Sequence, residues 1–288
     1  MKYGVIDIGS NSVRLLLWAD GSSIRKSVYT TRLAEGISFQ PDLLPQAMER
    51  SIEAIEDCIL QSKQFGVDKL FAFATAAVRG ARNGGEFVQK VYDRLHVRVE
   101  VLSGQDEAIA GFYGALQGKD GGIIDIGGAS TEITVGKDGK IIYAVSANIG
   151  AVRLKDKCGE NRNKLLEYIE QEIAVYGNIP ICPFTVIGGT ATSIAALEYE
   201  AEPYDPKKIH GKVLTLENIE GWADKLLALS LEDKLQLKGM DRRRADILGG
   251  GALLLYCILK KIGCNSVFVS ENDNMEGHLL YKLQEERR

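Results

Sequence analysis

No run in this sequence is long enough to cross a bilayer. Its longest nearly apolar stretch, "ILGGGALLLYCIL", is about a dozen residues, against the roughly 18 or more that a spanning helix needs. The N-terminus also lacks a basic segment followed by an apolar one, so a secretory signal is not expected and the cytoplasm is, with no membrane contact. Cysteine is sparse and unpatterned. Cys58, Cys158, Cys182, Cys257 and Cys264 are odd in number, scattered and without CxxC spacing, which predicts reduced, mostly buried thiols. The histidines, His96, His210 and His278, form neither HxxxH nor HxH, so each is expected to be structural and any metal to be held by oxygens. A basic excess is missing too. With 35 Lys and Arg against 39 Asp and Glu, the chain does not have the charge of a general nucleic-acid binder. Arg79 with Arg82, Arg242–Arg243–Arg244 and Lys207–Lys208 are local basic clusters, either solvated helix faces or places to meet an anion.

What is present is a soluble, globular composition, 45% hydrophobic and 26% charged over 288 residues, long enough for two ordinary domains or one large one. Within it one pattern is written twice. "YGVIDIGSNSVRLLLWADG" near the start returns as "GGIIDIGGASTEITVGKDG". Asp7 matches Asp125, Gly9 matches Gly127, Ser12 matches Ser130, and Asp20-Gly21 match Asp138-Gly139, at one constant offset without a gap. Each copy reads as a three-stranded antiparallel meander, apolar runs punctuated by a small polar turn and an Asp-Gly turn.

Between the meanders the pattern predicts a helix near 42–65, a strand "LFAFAT", a helix near 84–96, a strand "VRVEVLS" and a helix near 104–117. After the second come a helix over 162–177, a strand "FTVIG", a helix from about 190, helices near 215–229 and 241–261, a strand "SVFVS" and a last helix near 276–286. Alternating strands and helices after each meander define an α/β protein. The repeat predicts two related domains, 1–120 and 121–288, with the ligand site in the cleft between them and a C-terminal helix, 277–288, that folds back onto the first.

A strand that ends in Asp and enters a Gly- and hydroxyl-rich turn leaves backbone N–H groups pointing one way, a nest for phosphate oxygens. Gly9, Gly127 and Gly128 let the backbone come close, and Ser10, Asn11, Ser12, Ser130 and Thr131 add polar donors. Asp7 and Asp125 beside phosphates make sense if Mg²⁺ lies between, since Mg²⁺ binds through one or two carboxylates plus phosphate. The repeat breaks informatively: Arg14 in the first copy is Glu132 in the second. Glu132 and Asp125 together are a candidate cation site; alternatively Glu132 is an exposed strand residue.

In "LSGQDEAIAGF", Ser103 and Asp106 fit a helix capping box, which leaves Glu107 in the helix's first turn without a local structural role. It is the candidate acceptor for a proton from water. In "ATAAVRGARNG", Arg79 and Asn83 are four apart and share a face if the stretch is helical; Arg clamps phosphate with a planar fork. Gly188, Gly189 and Thr190 open a helix after a strand and can offer N–H groups to an anion. These two segments read equally as ordinary strand-to-helix turns.

Taken together, "IDIGSNSVRLL", "ATAAVRGARNG", "LSGQDEA", "IIDIGGASTEI", "VIGGTATSIAAL" and "GMDRRRADIL" make nearly the whole chain resemble the Ppx/GppA phosphatases, which include exopolyphosphatases and guanosine pentaphosphate phosphohydrolases, in their short form. The resemblance implies two RNase H-like domains of the actin, sugar-kinase and heat-shock-chaperone superfamily around a central cleft, Mg²⁺ (or Mn²⁺) as cofactor and a homodimer. It implies Glu107 as the group that activates the attacking water, Asp125 and Glu132 with Asp7 near the metal, and the two turns, Arg79, Asn83 and Gly188–Thr190 around the phosphates. The implied reaction is release of terminal phosphate from inorganic polyphosphate. The alternatives are 5′-dephosphorylation of guanosine pentaphosphate, a small-molecule kinase of the same superfamily, and a non-catalytic polyphosphate or nucleotide binder. Two positions depart from the family pattern: Ala129 replaces a turn glycine and narrows the allowed backbone angles, and Met275 replaces an arginine, which either removes a cationic contact for distal phosphates or leaves a methionine that packs the final helix against its domain.

Overall fold

The computed structural model describes residues 1–285. The chain divides into two compact units. One is Met1–Glu107 with the chain from His278 onward, the other Ala108–Gly277.

The first unit opens with β1 (Lys2–Ile8), β2 (Ser12–Ala19) and β3 (Ser22–Thr30), paired antiparallel. Helix α1 (Pro45–Phe65) starts on a proline, whose missing N–H costs nothing there. It ends at Gly66 in the left-handed conformation, with Gly66 N–H donating to Lys63 C=O and Val67 N–H to Ser62 C=O. Its buried stripe, Met48, Ile52, Ile55 and Cys58, packs on β1 and β2. The chain continues through β4 (Lys69–Ala74), the single turn α2 (Ala76–Gly80), α3 (Gly84–Leu95), β5 (Glu100–Val101) and α4 (Gly104–Leu116). Strand order is β3-β2-β1-β4-β5, with β4 parallel to both β1 and β5. The strand read over "VRVEVLS" shrinks to the two residues of β5, because only Glu100 and Val101 find partners on β4.

The second unit repeats the meander as β6 (Gly121–Ile126), β7 (Thr131–Lys137) and β8 (Lys140–Ala147). Then follow α5 (Ala151–Cys158), α6 (Arg162–Glu172) with a 3₁₀ turn at 173–176, β9 (Phe184–Ile187), α7 (Gly188–Glu198) and α8 (Pro206–Ile209). The last elements are β10 (Val213–Thr215), α9 (Leu216–Ala228), α10 (Leu231–Lys234), α11 (Leu248–Ile262), β11 (Ser266–Val269) and α12 (Asn274–Glu285). Strand order is β10-β11-β9-β6-β7-β8, with β9 parallel to β6 and β11. Ile124, Ile133, Val186, Leu154, Leu165, Ile194, Leu226 and Leu254, from strands and helices alike, share one core. The helix expected from 241 begins at Leu248, because 241–247 coil into tight turns (Arg244 N–H to Asp241 C=O, Ile247 N–H to Arg244 C=O).

The duplication extends below the level of elements. Asp20-Gly21 and Asp138-Gly139 all have positive φ, at 52°, 78°, 51° and 70°, the requirement of a two-residue type I′ hairpin turn. The ladder from the second to the third strand slips at Leu17/Trp18 in one unit and at Val135/Gly136, the equivalent place, in the other.

The expected boundary at 117–122 and the division at Glu107/Ala108 differ because the later part of α4 belongs to the second unit's core: Phe112 packs with Ile123 and Ile187. Likewise α12 begins in the second unit and passes into the first at His278, whose ring lies 4.7 Å from that of Phe73 on β4. Residues 286–288 of the expected C-terminal helix lie outside the described residues.

Candidate active site

In each unit the turn between the first two strands closes with the same bond. Gly9 N–H donates to Ser12 C=O at 3.0 Å, and Gly127 N–H to Ser130 C=O at 3.0 Å. A Cβ on either glycine would lie 3.1 Å from that carbonyl oxygen, so the glycine keeps the turn tight. The turn carbonyls are then occupied from outside. In the first unit Thr31 and Arg32 donate to Asn11 C=O and Ala34 to Ser10 C=O; in the second, Ala151 donates to Gly127 C=O, and Val152 and Arg153 to Gly128 C=O. Those last donors are orphan N–H groups of the first turn of α5, and Gly150 admits them: a Cβ there would meet the oxygens of Gly127 and Gly128 at 2.6 Å. Among the described residues, the N–H groups of Ser10, Asn11, Gly128 and Ala129 donate to no protein acceptor. Each turn thus offers amide hydrogens suited to an anion.

The side chains of the turns divide. Asn11 Nδ2 donates to Ser12 Oγ at 3.3 Å. Thr131 Oγ1 donates to Ile149 C=O at 2.6 Å, and Tyr176 Oη donates to Thr131 C=O at 2.8 Å. The Thr131 hydroxyl proton is therefore directed into the protein and not to a phosphate, whereas Ser130 makes no such bond. Ala129 has no positive φ, so its methyl imposes no backbone strain; its carbonyl accepts from Arg153 Nε at 3.1 Å.

Directly behind the turns the two copies diverge. Asp7 and Arg14 are cross-strand partners. Arg14 Nε donates to Asp7 Oδ2 at 2.9 Å, and Nη2 donates to the same oxygen. Asp125 and Glu132 occupy the corresponding register. Glu132, only 2% exposed, accepts from Ser146 Oγ at 2.6 Å. Asp125 Oδ2 accepts from Asn274 Nδ2 at 2.9 Å, and its Oδ1 lies 2.7 Å from where a Gly188 Cβ would stand. Gly188, at φ 81°, is thus fixed as glycine by both conformation and space.

Two carboxylates directly opposite in a ladder repel each other. Facing carboxylates suit Mg²⁺, which takes one or two of them and completes its shell with phosphate and water oxygens, the phosphate being what the neighbouring amide N–H groups suit. Asp7 does not fit that set, because its carboxylate is engaged by Arg14. Among the described residues no group of three His, Cys, Asp or Glu is assembled that could hold a metal alone.

Glu107 is 6% exposed, and its Oε2 accepts from Arg79 Nη1 at 2.9 Å. The same nitrogen donates to Leu102 C=O at 2.8 Å, so Arg79 fixes the carboxylate against the main chain. Ser103 and Asp106 form the expected cap: Asp106 N–H donates to Ser103 Oγ at 3.1 Å and Ser103 Oγ to Asp106 at 2.7 Å. Asn83 is a correction. The backbone turns extended at Ala81, so Asn83 precedes α3 rather than sharing a helix face with Arg79. Its amide clasps Leu43, accepting from N–H at 2.7 Å and donating to C=O at 3.0 Å, which gives it a structural job in place of a phosphate contact.

At the third phosphate candidate, Gly188 starts α7, Gly189 lies beneath the Arg244 guanidinium, and Thr190 Oγ1 donates to Ile126 C=O at 3.2 Å. The Thr190 hydroxyl ties this turn to β6. Met275 is fully buried, in the first turn of α12 with its N–H on Asp273 Oδ1. That position is interior in this chain, so it offers no surface contact for a distal phosphate. Sequence reasoning missed the Asp7–Arg14 pair, the Arg79–Glu107 pair, Arg153 and Asn274. The first was implicit in the register of a four-residue turn; the others join residues far apart in sequence or in segments read as loops.

Two α/β units, each with a meander and a turn closed from its glycine to its serine, define the class of protein. The family model for the Ppx/GppA phosphatase family matches residues 19–286, and the chain belongs to that family of phosphohydrolases. Among curated proteins it is 30% identical, over 96% of its length, to a bifunctional 3-dehydroquinate synthase/phosphatase of Fusobacterium nucleatum, of whose length it spans 46%. It is 26% identical to Exopolyphosphatase 2 of Mycobacterium tuberculosis, covering 96% of this chain and 97% of that one. Among solved structures, a Ppx/GppA family member from Aquifex aeolicus is 30% identical with a TM-score of 0.82, covering 100% of this chain and 99% of the other. None of the helices among the described residues is long and apolar enough to cross a membrane.

Proposed function

We propose that this protein is an exopolyphosphatase-type phosphohydrolase that releases the terminal phosphate of inorganic polyphosphate. The observation that carries the reading is the repeated turn, with the same glycine-to-serine closure and undonated amides in both units. Donors held in place before the reaction stabilise phosphate charge without reorganising. The near full-length likeness to a protein called an exopolyphosphatase supports polyphosphate as substrate.

In the reaction, a water oxygen bonds to the terminal phosphorus as the bridging P–O bond breaks. The water proton passes to Glu107, which Arg79 holds in one orientation. The shortened chain leaves with the bridging oxygen. The remaining N–H groups of the Arg79 fork suit a phosphate oxygen. Mg²⁺, which Asp125 and Glu132 would hold, supplies positive charge beside the phosphates when bound.

The test is phosphate release from long polyphosphate, short polyphosphate, guanosine pentaphosphate, ATP, and ATP with candidate sugars, each with Mg²⁺ and with EDTA. Release from polyphosphate that EDTA abolishes is expected. Release confined to guanosine pentaphosphate, phosphorylated sugar, or tight binding without release would each replace this reading.

A further inference from the structure

The segment before and into α12 carries no role in the reaction as written, yet one of its side chains reaches Asp125. Asn274, 4% exposed, donates from Nδ2 to Asp125 Oδ2 at 2.9 Å, across 149 positions of sequence. Its own Oδ1 is buried and accepts no hydrogen bond among the described residues. An amide turned the other way would set that oxygen against the carboxylate, so the donor contact fixes its orientation. Room for the amide comes from Gly111 on α4, where a Cβ would stand 2.7 Å from Asn274 Oδ1. The opposite oxygen of Asp125 is bounded by Gly188 at the start of α7. Two segments thus meet at the carboxylate, α12 through a hydrogen bond and α7 through a missing side chain, while α4 leaves the space that the amide fills.

We infer that Asn274 is a positioning residue for Asp125: by holding Oδ2 it stops the carboxylate from turning and presents it to the divalent cation alongside Glu132. Hydrogen bonds to a ligating carboxylate orient it and sustain metal affinity, and their loss costs 10–100-fold in affinity or activity. A purely structural amide would be dispensable to the ion and matter only to stability. The inference rests on the cation reading of Asp125 and Glu132.

Mn²⁺ binding to the full chain, measured by calorimetry without substrate, tests it. Asn274→Leu keeps a side chain of similar bulk and deletes the donor; it is expected to raise the Mn²⁺ Kd about tenfold or more. The Mg²⁺ concentration for half-maximal phosphate release should rise with it, while turnover at saturating Mg²⁺ changes little. If Asn274→Leu does not fold, Gly111→Ala displaces the amide without removing it and should shift the Mn²⁺ Kd in the same direction. Unchanged Mn²⁺ binding in a folded variant overturns the role of Asn274. Failure of the unaltered protein to bind Mn²⁺, or binding that survives Asp125→Asn, instead overturns the cation reading beneath it.

Discussion

The first turn and the second turn have the same backbone and opposite electrostatics. Behind the first, a cross-strand Asp7–Arg14 pair is closed and largely buried; behind the second, the same register opposes Asp125 to Glu132. Glu107 in the first unit is likewise paired, with Arg79. The first unit pairs these two carboxylates with its own arginines, and the second holds two that a soluble ion would stabilise. A duplicated scaffold has thus been divided: one copy holds its carboxylate, Glu107, on an arginine, and the other sets two carboxylates face to face. The N–H donors they share are carried by backbone, which substitution of Arg14 by Glu at the corresponding place leaves intact.

The largest effect is expected at Glu107, the proposed proton acceptor. Glu107→Gln should lower turnover by at least about a hundredfold with little change in substrate affinity, while Asp106→Asn, which alters only a helix cap, should stay within about tenfold. Single-turnover phosphate release separates the two, and a more damaged Asp106 variant would move the acceptor off Glu107. Next comes the closed pair. Arg14→Ala strands the Asp7 carboxylate, 3% exposed, and should cost about 2–3 kcal/mol in urea unfolding, discounted from the 3–5 of a fully buried pair because Arg14 is partly solvated. Its Mg²⁺ requirement should not move. Glu132→Ala should do the reverse, raising the Mg²⁺ concentration for half-maximal rate about tenfold while leaving the metal-free protein no less stable, since a like-charge contact is removed. Equal metal dependence in the Arg14 and Glu132 variants would erase the division between the copies.

Much of this was legible because hairpins are local. The constant offset between the copies gave the turn, both Asp-Gly reversals and the coupling of Asp125 with Glu132, though not that of Asp7 with Arg14. The capping box at Ser103 was readable for the same reason, its partners being three residues apart. What escaped depends on tertiary contact. Asn83 looked like a helical neighbour of Arg79 until Ala81 adopted an extended backbone and broke the helix. Helix α5 was invisible in "NIGAVRLKDK" because its start is satisfied by carbonyls of the distant turn 127–128. The three residues of β10 are a strand only because β11 lies beside them. Asn274 sits in a polar segment that gives no sign of its partner, and of the two readings open for Met275, lost surface contact or packing residue, its burial selects the second.

The smallest effect concerns the stability of the first unit and its dependence on pH. His278 is buried on Phe73 and Phe71 of β4, with Glu100 of β5 and Lys282 of its own helix nearby. Burial lowers its pKa to about 4; Glu100 and Glu285 pull it up, and Lys282 adds to the lowering. The unfolded chain protonates this histidine near its ordinary value of about 6.5. Below that pH the unfolded state binds a proton that the folded state refuses, so the contribution is complete above about 6.5 and is lost as pH falls toward about 4. Urea unfolding at pH 7.5 and 5.5 should show a loss of about 1 kcal/mol from this residue alone, since one pKa unit is worth about 1.4. His278→Phe keeps an aromatic ring against Phe73 and cannot take up the proton, so the loss between the two pH values should shrink by that amount. The second unit contains no buried histidine among the described residues; its His210 is exposed. Acid should therefore weaken the first unit selectively through this contact, and hydrogen exchange at pH 5.5 should rise in β4 and the His278 end of α12 before it rises in β6, β7 and β9. Acceleration that begins in the second unit, or a pH dependence that His278→Phe leaves unchanged, would show that the first unit's acid sensitivity lies elsewhere.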